Sequence, residues 1–206
     1  MELINENFLK PTYFVDSDSK IVQSKATNLT TKAMTDAEKA IELFYYTRDE
    51  ILYDPYDSLV SRKARYKASK TITEKKGWCI QKAVVLAALA RAVGIPSRLH
   101  FADIQNHQTP EKLKKRNGND VFIYHGYTDL FLNGKWIKAT PAFNKSLCDK
   151  FGFKTVEFNG INDGILPSTT INGERYVEYL KDRGTDYDLP YKKMWITMIN
   201  YYSNLK

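Results

Sequence analysis

The chain has 206 residues, 43% hydrophobic and 13% aromatic, enough to bury one substantial core without crosslinks or metal. Lysine and arginine total 31 against 24 acidic residues, and the resulting +7 is spread along the chain. The densest basic stretches, 62–70 and 112–116, do not interleave aromatics the way a single-strand nucleic-acid platform would, so they read as solvated loops or faces and no nucleic-acid partner is expected.

The N-terminal MELINENFLK is acidic where a leader would be basic, and no apolar run is long enough to span a bilayer. A cytoplasmic location without membrane contact is expected. One domain over 1–206 is expected too, divided into an N-terminal arm (1–34), a core (35–143) and a C-terminal elaboration (144–206). Residues 1–33 lack sustained periodicity and read as an extended arm. Thr35 and Glu38 form a capping box, and apolar residues from Ala37 to Leu52 follow at helical intervals, with a stop before Asp54-Pro55. Between Tyr56 and Lys76 the chain is basic and aperiodic, which predicts a long surface loop. From Trp78 to Val93 it turns apolar on nearly every face until Gly94-Ile95-Pro96, which predicts a central buried helix.

Residues 97–104 read as a strand and 105–119 as a surface excursion. Val121–Leu132 and Lys135–Thr140 flank Asn133-Gly134, a dipeptide suited to a type I′ hairpin because both positions need positive φ. If Leu132 faces Lys135, His125, Tyr127, Asp129, Lys138 and Thr140 share one face, with Thr140 diagonal to His125. Beyond Phe143 the sequence predicts a short apolar stretch at 154–158, a helix near 174–181 and an aromatic-rich end at 191–202.

Only two cysteines occur, Cys79 and Cys148, and neither has histidines at metal-ligand spacing, so no disulfide framework, metal or cofactor is expected. Cys79 opens the apolar helix, where the macrodipole and unpaired backbone N–H groups favour thiolate and could hold an oxyanion. Cys148 reads as a minor core residue. Trp78 could donate its indole N–H to a substrate carbonyl, wall the acyl channel, or simply anchor its loop. His100 and His107 read as structural.

Gly77-Trp78-Cys79, with Gln81-Lys82-Ala83 and Leu89 through Arg98, resembles the G-x-C helix and following strand entry of transglutaminase-like proteins. Tyr124-His125-Gly126 through Asn133-Gly134-Lys135-Trp136 resembles the histidine segment of the same family. The resemblance covers about 35–143. It implies an α+β, papain-like transglutaminase-core fold, with a central buried helix carrying the nucleophile packed on an antiparallel sheet. It also implies Cys79 as nucleophile and His125 as general base, a thioester intermediate, and a peptide or protein substrate. Where the family carries an aspartate before proline, this chain has Thr140, which can orient the imidazole but supplies no charge. Asp129 ranks below it as an orienter, reaching His125 only through water or a bend, and Asn144 is a further candidate. Hydrolysis is expected over crosslinking, since no accessory domains are seen around the core to exclude water. The competing reading is a catalytically weak or inactive domain that binds a peptide or protein partner.

Overall fold

A computed structural model describes residues 5–57 and 62–202. Its centre is the helix Cys79–Ala92 (α4), following α1 (Lys20–Leu29), α2 (Asp36–Glu50) and α3 (Ala68–Glu74). Every residue of α4 except Ala92 is buried, which its lack of a polar face requires. One side of α4 packs on a four-stranded antiparallel sheet and the others on α1, α2 and α3. The sheet is ordered β5-β4-β3-β6, from β3 (Ser97–Asn106), β4 (Val121–Leu132), β5 (Lys135–Ala139) and β6 (Val177–Asp186). The expected fold class, a buried helix headed by Cys79 and packed on an antiparallel sheet, is the one observed.

Helix α2 begins as its sequence demands: Thr35 accepts from the Glu38 amide, and the Glu38 carboxylate accepts from the Thr35 amide at 2.7 Å. Its end is tied to α4 by Lys82, fully buried, whose Nζ donates to the carbonyls of Arg48 (2.9 Å) and Ile51 (2.6 Å). There β1 (Leu52–Tyr53) pairs in parallel with β2 (Lys76–Gly77), bringing the chain to Cys79. The hairpin register is the expected one, Leu132 opposite Lys135 and Thr128 opposite Ala139, with Asn133 and Gly134 at φ +50° and +81°.

Four expectations fail. The N-terminal arm contains α1, capped by Ser19 and buried only through Val22 and Ala26, so its apolar periodicity is too thin to read. The stretch read as a loop after Tyr56 holds a 3-10 turn (Lys63–Tyr66) and α3; its residues 58–61 lie outside those described. The excursion at 105–119 carries helix α5 (Glu111–Asn117), and α6 (Lys145–Phe151) follows the hairpin. The predicted helix near 174–181 is instead β6, a mostly exposed edge strand whose charged residues hide its extended form until β3 pairs with it. The aromatic end forms helix α7 (Tyr191–Tyr201). Among the described residues, no helix is long and apolar enough to cross a membrane.

Candidate active site

Cys79 occupies the first turn of α4, and burial shapes its chemistry. The backbone N–H groups of Gly126, Ile80 and Cys79 itself favour the thiolate, as a helix start should, but desolvation outweighs them and pushes the thiol up to about 11. Burial thus works against the thiolate that the helix start favours. The gain from a few backbone dipoles is smaller than the cost of a charge at a site where only 6% of the residue is exposed.

His125 reaches the same place through a distortion of β4. The β3–β4 register slips between Ala102↔His125 and Ile104↔Phe122, so β4 carries one extra residue opposite Asp103. Within this bulge Tyr124 adopts φ +56°, unusual for a bulky side chain. Asp103 holds it, accepting from the Tyr124 amide at 3.1 Å while forming a bidentate ion pair with Arg183 of β6. Immediately after the bulge, Gly126 lets the strand lie against the first turn of α4, because a Cβ there would stand 3.0 Å from Ile80 Cα. Bulge and close contact together set the residue between them, His125, beside the start of α4.

Cys79 and His125 line one cavity of about 390 Å3 with Trp78, Tyr53, Phe122 of β4, Phe151 of α6 and Tyr202, just past the C-terminal helix. Among the described residues no hydrogen bond joins the thiol to the imidazole. His125 Nε2 is buried without a hydrogen-bond partner. Burial lowers the His125 pKa to about 3, with no carboxylate acting against it, so the resting pair is neutral thiol and neutral imidazole.

Thr140 also has a buried hydroxyl without a partner. It lies near enough to Tyr179 to ease that phenol's ionisation, though not in hydrogen-bond geometry, and the Tyr179 ring stands 6.2 Å from that of His125. The pairing assumed for it stops one residue short: β5 ends at Ala139, and the Thr140 amide donates to Gly164 O. Asp129 does not orient His125. Its carboxylate accepts from Arg98 (2.9 Å) and from His100 Nδ1 (3.0 Å), while His100 Nε2 faces Asp182 at 3.1 Å. Burial opposes protonation of His100, but these two carboxylates raise its pKa nonetheless. Its ring stacks on Tyr127, and Tyr127 in turn stacks on His125. Asn144 is spent elsewhere, accepting from the Tyr53 amide and donating to Ser146.

The Trp78 indole nitrogen is buried without a partner, and its backbone amide donates to Gln81 Oε1. His107 and Cys148 lie outside the cavity lining, Cys148 buried as expected. Two site residues escaped the sequence reading. Asp103 had no legible signal, since a bulge is a product of pairing. Tyr53, on a two-residue strand, is brought to Cys79 only by the β1–β2 contact, and burial, with Cys79 nearby, holds its phenol well above the usual range.

A candidate cysteine protease from Cytophaga hutchinsonii shares this fold, with TM-score 0.56 and 22% identity over 91% of this chain and 49% of that one. The chain thus spans about half the length of that protein. A candidate protease from Parabacteroides distasonis is more distant, at TM-score 0.41 and 15% identity over 62% of this chain and 26% of the other. No curated protein matches. Residues 23–141, more than half the chain and running from α1 to just past the hairpin, match the transglutaminase-like superfamily, and the chain belongs to that superfamily.

Proposed function

We propose that the protein is a cysteine acyl-transfer enzyme acting on peptide or protein amides, with Cys79 as nucleophile and His125 as general base. The observation that carries this reading is the opening of both side chains onto one cavity, with Cys79 at the N-terminus of a buried helix. Because thiol and imidazole are both neutral at rest, proton transfer accompanies attack. The S–H proton passes to His125 Nδ1 as the sulfur bonds to the substrate carbonyl carbon. The carbonyl oxygen, now an oxyanion, is met by backbone N–H groups at the start of α4 and by the Trp78 indole N–H. The C–N bond then breaks, the imidazolium returns its proton to the departing amine, and a thioester remains on Cys79.

Water, yielding a proton to His125, attacks the thioester. The C–S bond breaks, the sulfur recovers its proton, and a carboxylic acid leaves; an amine acceptor would give a new amide instead. No carboxylate acts on His125, and Thr140 could accept from Nε2–H only after a shift, since neither atom has a partner at rest, so the charge formed in the transition state is poorly balanced and turnover is slow.

A panel of peptidyl p-nitroanilides tests the reading, with chromophore release followed alongside the intact mass of the protein. An acyl adduct on Cys79, absent in Cys79→Ser, with rates about 10²- to 10⁴-fold lower in His125→Ala, is the expected result. Release unaffected by Cys79→Ser would overturn it. Added amine identifies the acceptor, through amide or acid as product. A second reading, a peptide-binding domain without catalysis, draws on the missing thiol–imidazole hydrogen bond and on the lack of a carboxylate acting on His125. Peptide binding equal in the native chain and Cys79→Ser, with no adduct, would support that alternative.

A further inference from the structure

We propose that the cavity selects an aromatic side chain on the acyl side of the cleaved amide, the residue whose carbonyl Cys79 attacks. This deepens the catalytic reading and rests on it. The wall around Cys79 and His125 is built from the rings of Tyr53, Phe122, Phe143, Phe153 and Tyr202, with Leu147 among the aliphatic groups. Tyr53 and Phe143 meet edge to face at 4.7 Å, and Phe153 stacks on Tyr176 at 4.5 Å, so the rings are held by one another and form a preset apolar surface.

The charged groups of the lining are already committed. Asp54 accepts from the Tyr56 amide at 2.9 Å and lies 3.6 Å from Lys76, and Arg116 donates to Pro55 O at 2.9 Å. An acidic substrate side chain would have to draw Arg116 from that carbonyl, and a basic one would have to draw Asp54 from Lys76. A glutamine side chain would desolvate its amide in a lining made mostly of rings, with few polar groups to bond it. An aromatic ring loses nothing in polar pairing, gains edge-to-face contacts, and suits a volume of about 390 Å3 better than a small side chain does.

One polar group is placed for the substrate's backbone. The Tyr53 hydroxyl makes no hydrogen bond to another described residue, and burial near Cys79 keeps it protonated. It remains a donor at the edge of the reacting centre, able to hold the carbonyl that precedes the aromatic residue.

The test compares N-acetyl-phenylalanine, N-acetyl-glutamine and N-acetyl-glycine p-nitroanilides on the native protein, together with binding of the three N-acetyl amino-acid amides followed by protein NMR. Burial of a whole aromatic side chain predicts kcat/KM about 10- to 150-fold higher for phenylalanine than for glycine, and amide affinities in the same order. Leu147→Trp, which fills the cavity, reduces that ratio about fivefold or more. Circular dichroism reports whether this variant folds; Phe151→Ala, at the exposed rim, reduces the ratio without touching the core. Equal rates and equal affinities for phenylalanine and glycine, or a preference for glutamine, overturn the proposal while leaving Cys79 catalysis standing. Selective binding of the aromatic amide without turnover of any substrate supports the pocket assignment and removes the catalytic one.

Discussion

Alkylation of Cys79 as a function of pH separates a buried neutral thiol from a preformed thiolate. With its pKa moved from 9.0 to about 11, the thiol is two units harder to ionise, an imbalance of about 3 kcal/mol between desolvation and the N–H groups of Gly126 and Ile80. At about pH 7.5 the thiolate fraction falls from roughly 3 × 10⁻² to roughly 3 × 10⁻⁴. Iodoacetamide is small enough for the cavity, and its adduct on Cys79 can be distinguished from one on Cys148 by peptide mass spectrometry. The shape of the profile matters more than the absolute rate, which also carries the steric cost of entry. The logarithm of the rate should climb with unit slope through pH 9 and bend only near 11. A plateau beginning at or below about pH 7 would mean that an imidazolium stabilises the thiolate in the free protein, and the neutral-pair mechanism would be wrong.

Three further outcomes follow from the same site. Thr140→Asp adds a carboxylate beside Tyr179, whose ring lies 6.2 Å from that of His125; it should raise the histidine pKa from about 3 and speed Cys79 alkylation near neutral pH at least tenfold. An unchanged profile in a folded variant would remove Thr140 from the third position. Asp103→Ala leaves the Tyr124 amide unbonded in the bulge and Arg183 unpaired, and is expected to cost about 1–3 kcal/mol by urea denaturation and to lower kcat more than KM changes. Full activity in that variant would show that the bulge holds itself. His125, neutral in the fold to about pH 3, binds fewer protons folded than unfolded below its ordinary 6.5, so stability is intact above 6.5 and lost as pH falls towards 3. Between pH 7.5 and 5.0 this group alone should remove about 2 kcal/mol, a loss that His125→Phe should not show in matched urea titrations.

Much of this molecule can be read from residue order because the signals are local. The capping box at Thr35 and Glu38, the apolar run from Ala83 to Ala90 and the Asn133-Gly134 turn each specify geometry within a few residues, and each appears in the structure where it was expected. Cys79 and His125 were legible for the same reason: one opens the apolar helix, the other sits on a strand whose hairpin register can be counted. Edge strand β6 was misread because its charged residues carry no apolar alternation and only pairing with β3 makes it extended.

The rest depends on which distant segments meet. Asp129 looked free to serve His125 until β3 delivered Arg98 and His100 to its carboxylate. Asp103, Tyr124 and Arg183 make a bulge that exists only between paired strands. The ionisation of Cys79 reverses for the same reason: its helix start favours the thiolate, but the enclosure built by strands, α6 and the C-terminal helix removes water, and desolvation is the larger energy. Sequence determined where Cys79 and His125 stand and the frame that carries them; tertiary packing decided their surroundings and the aromatic room in front of them, because burial and long-range contact are properties of the assembled chain.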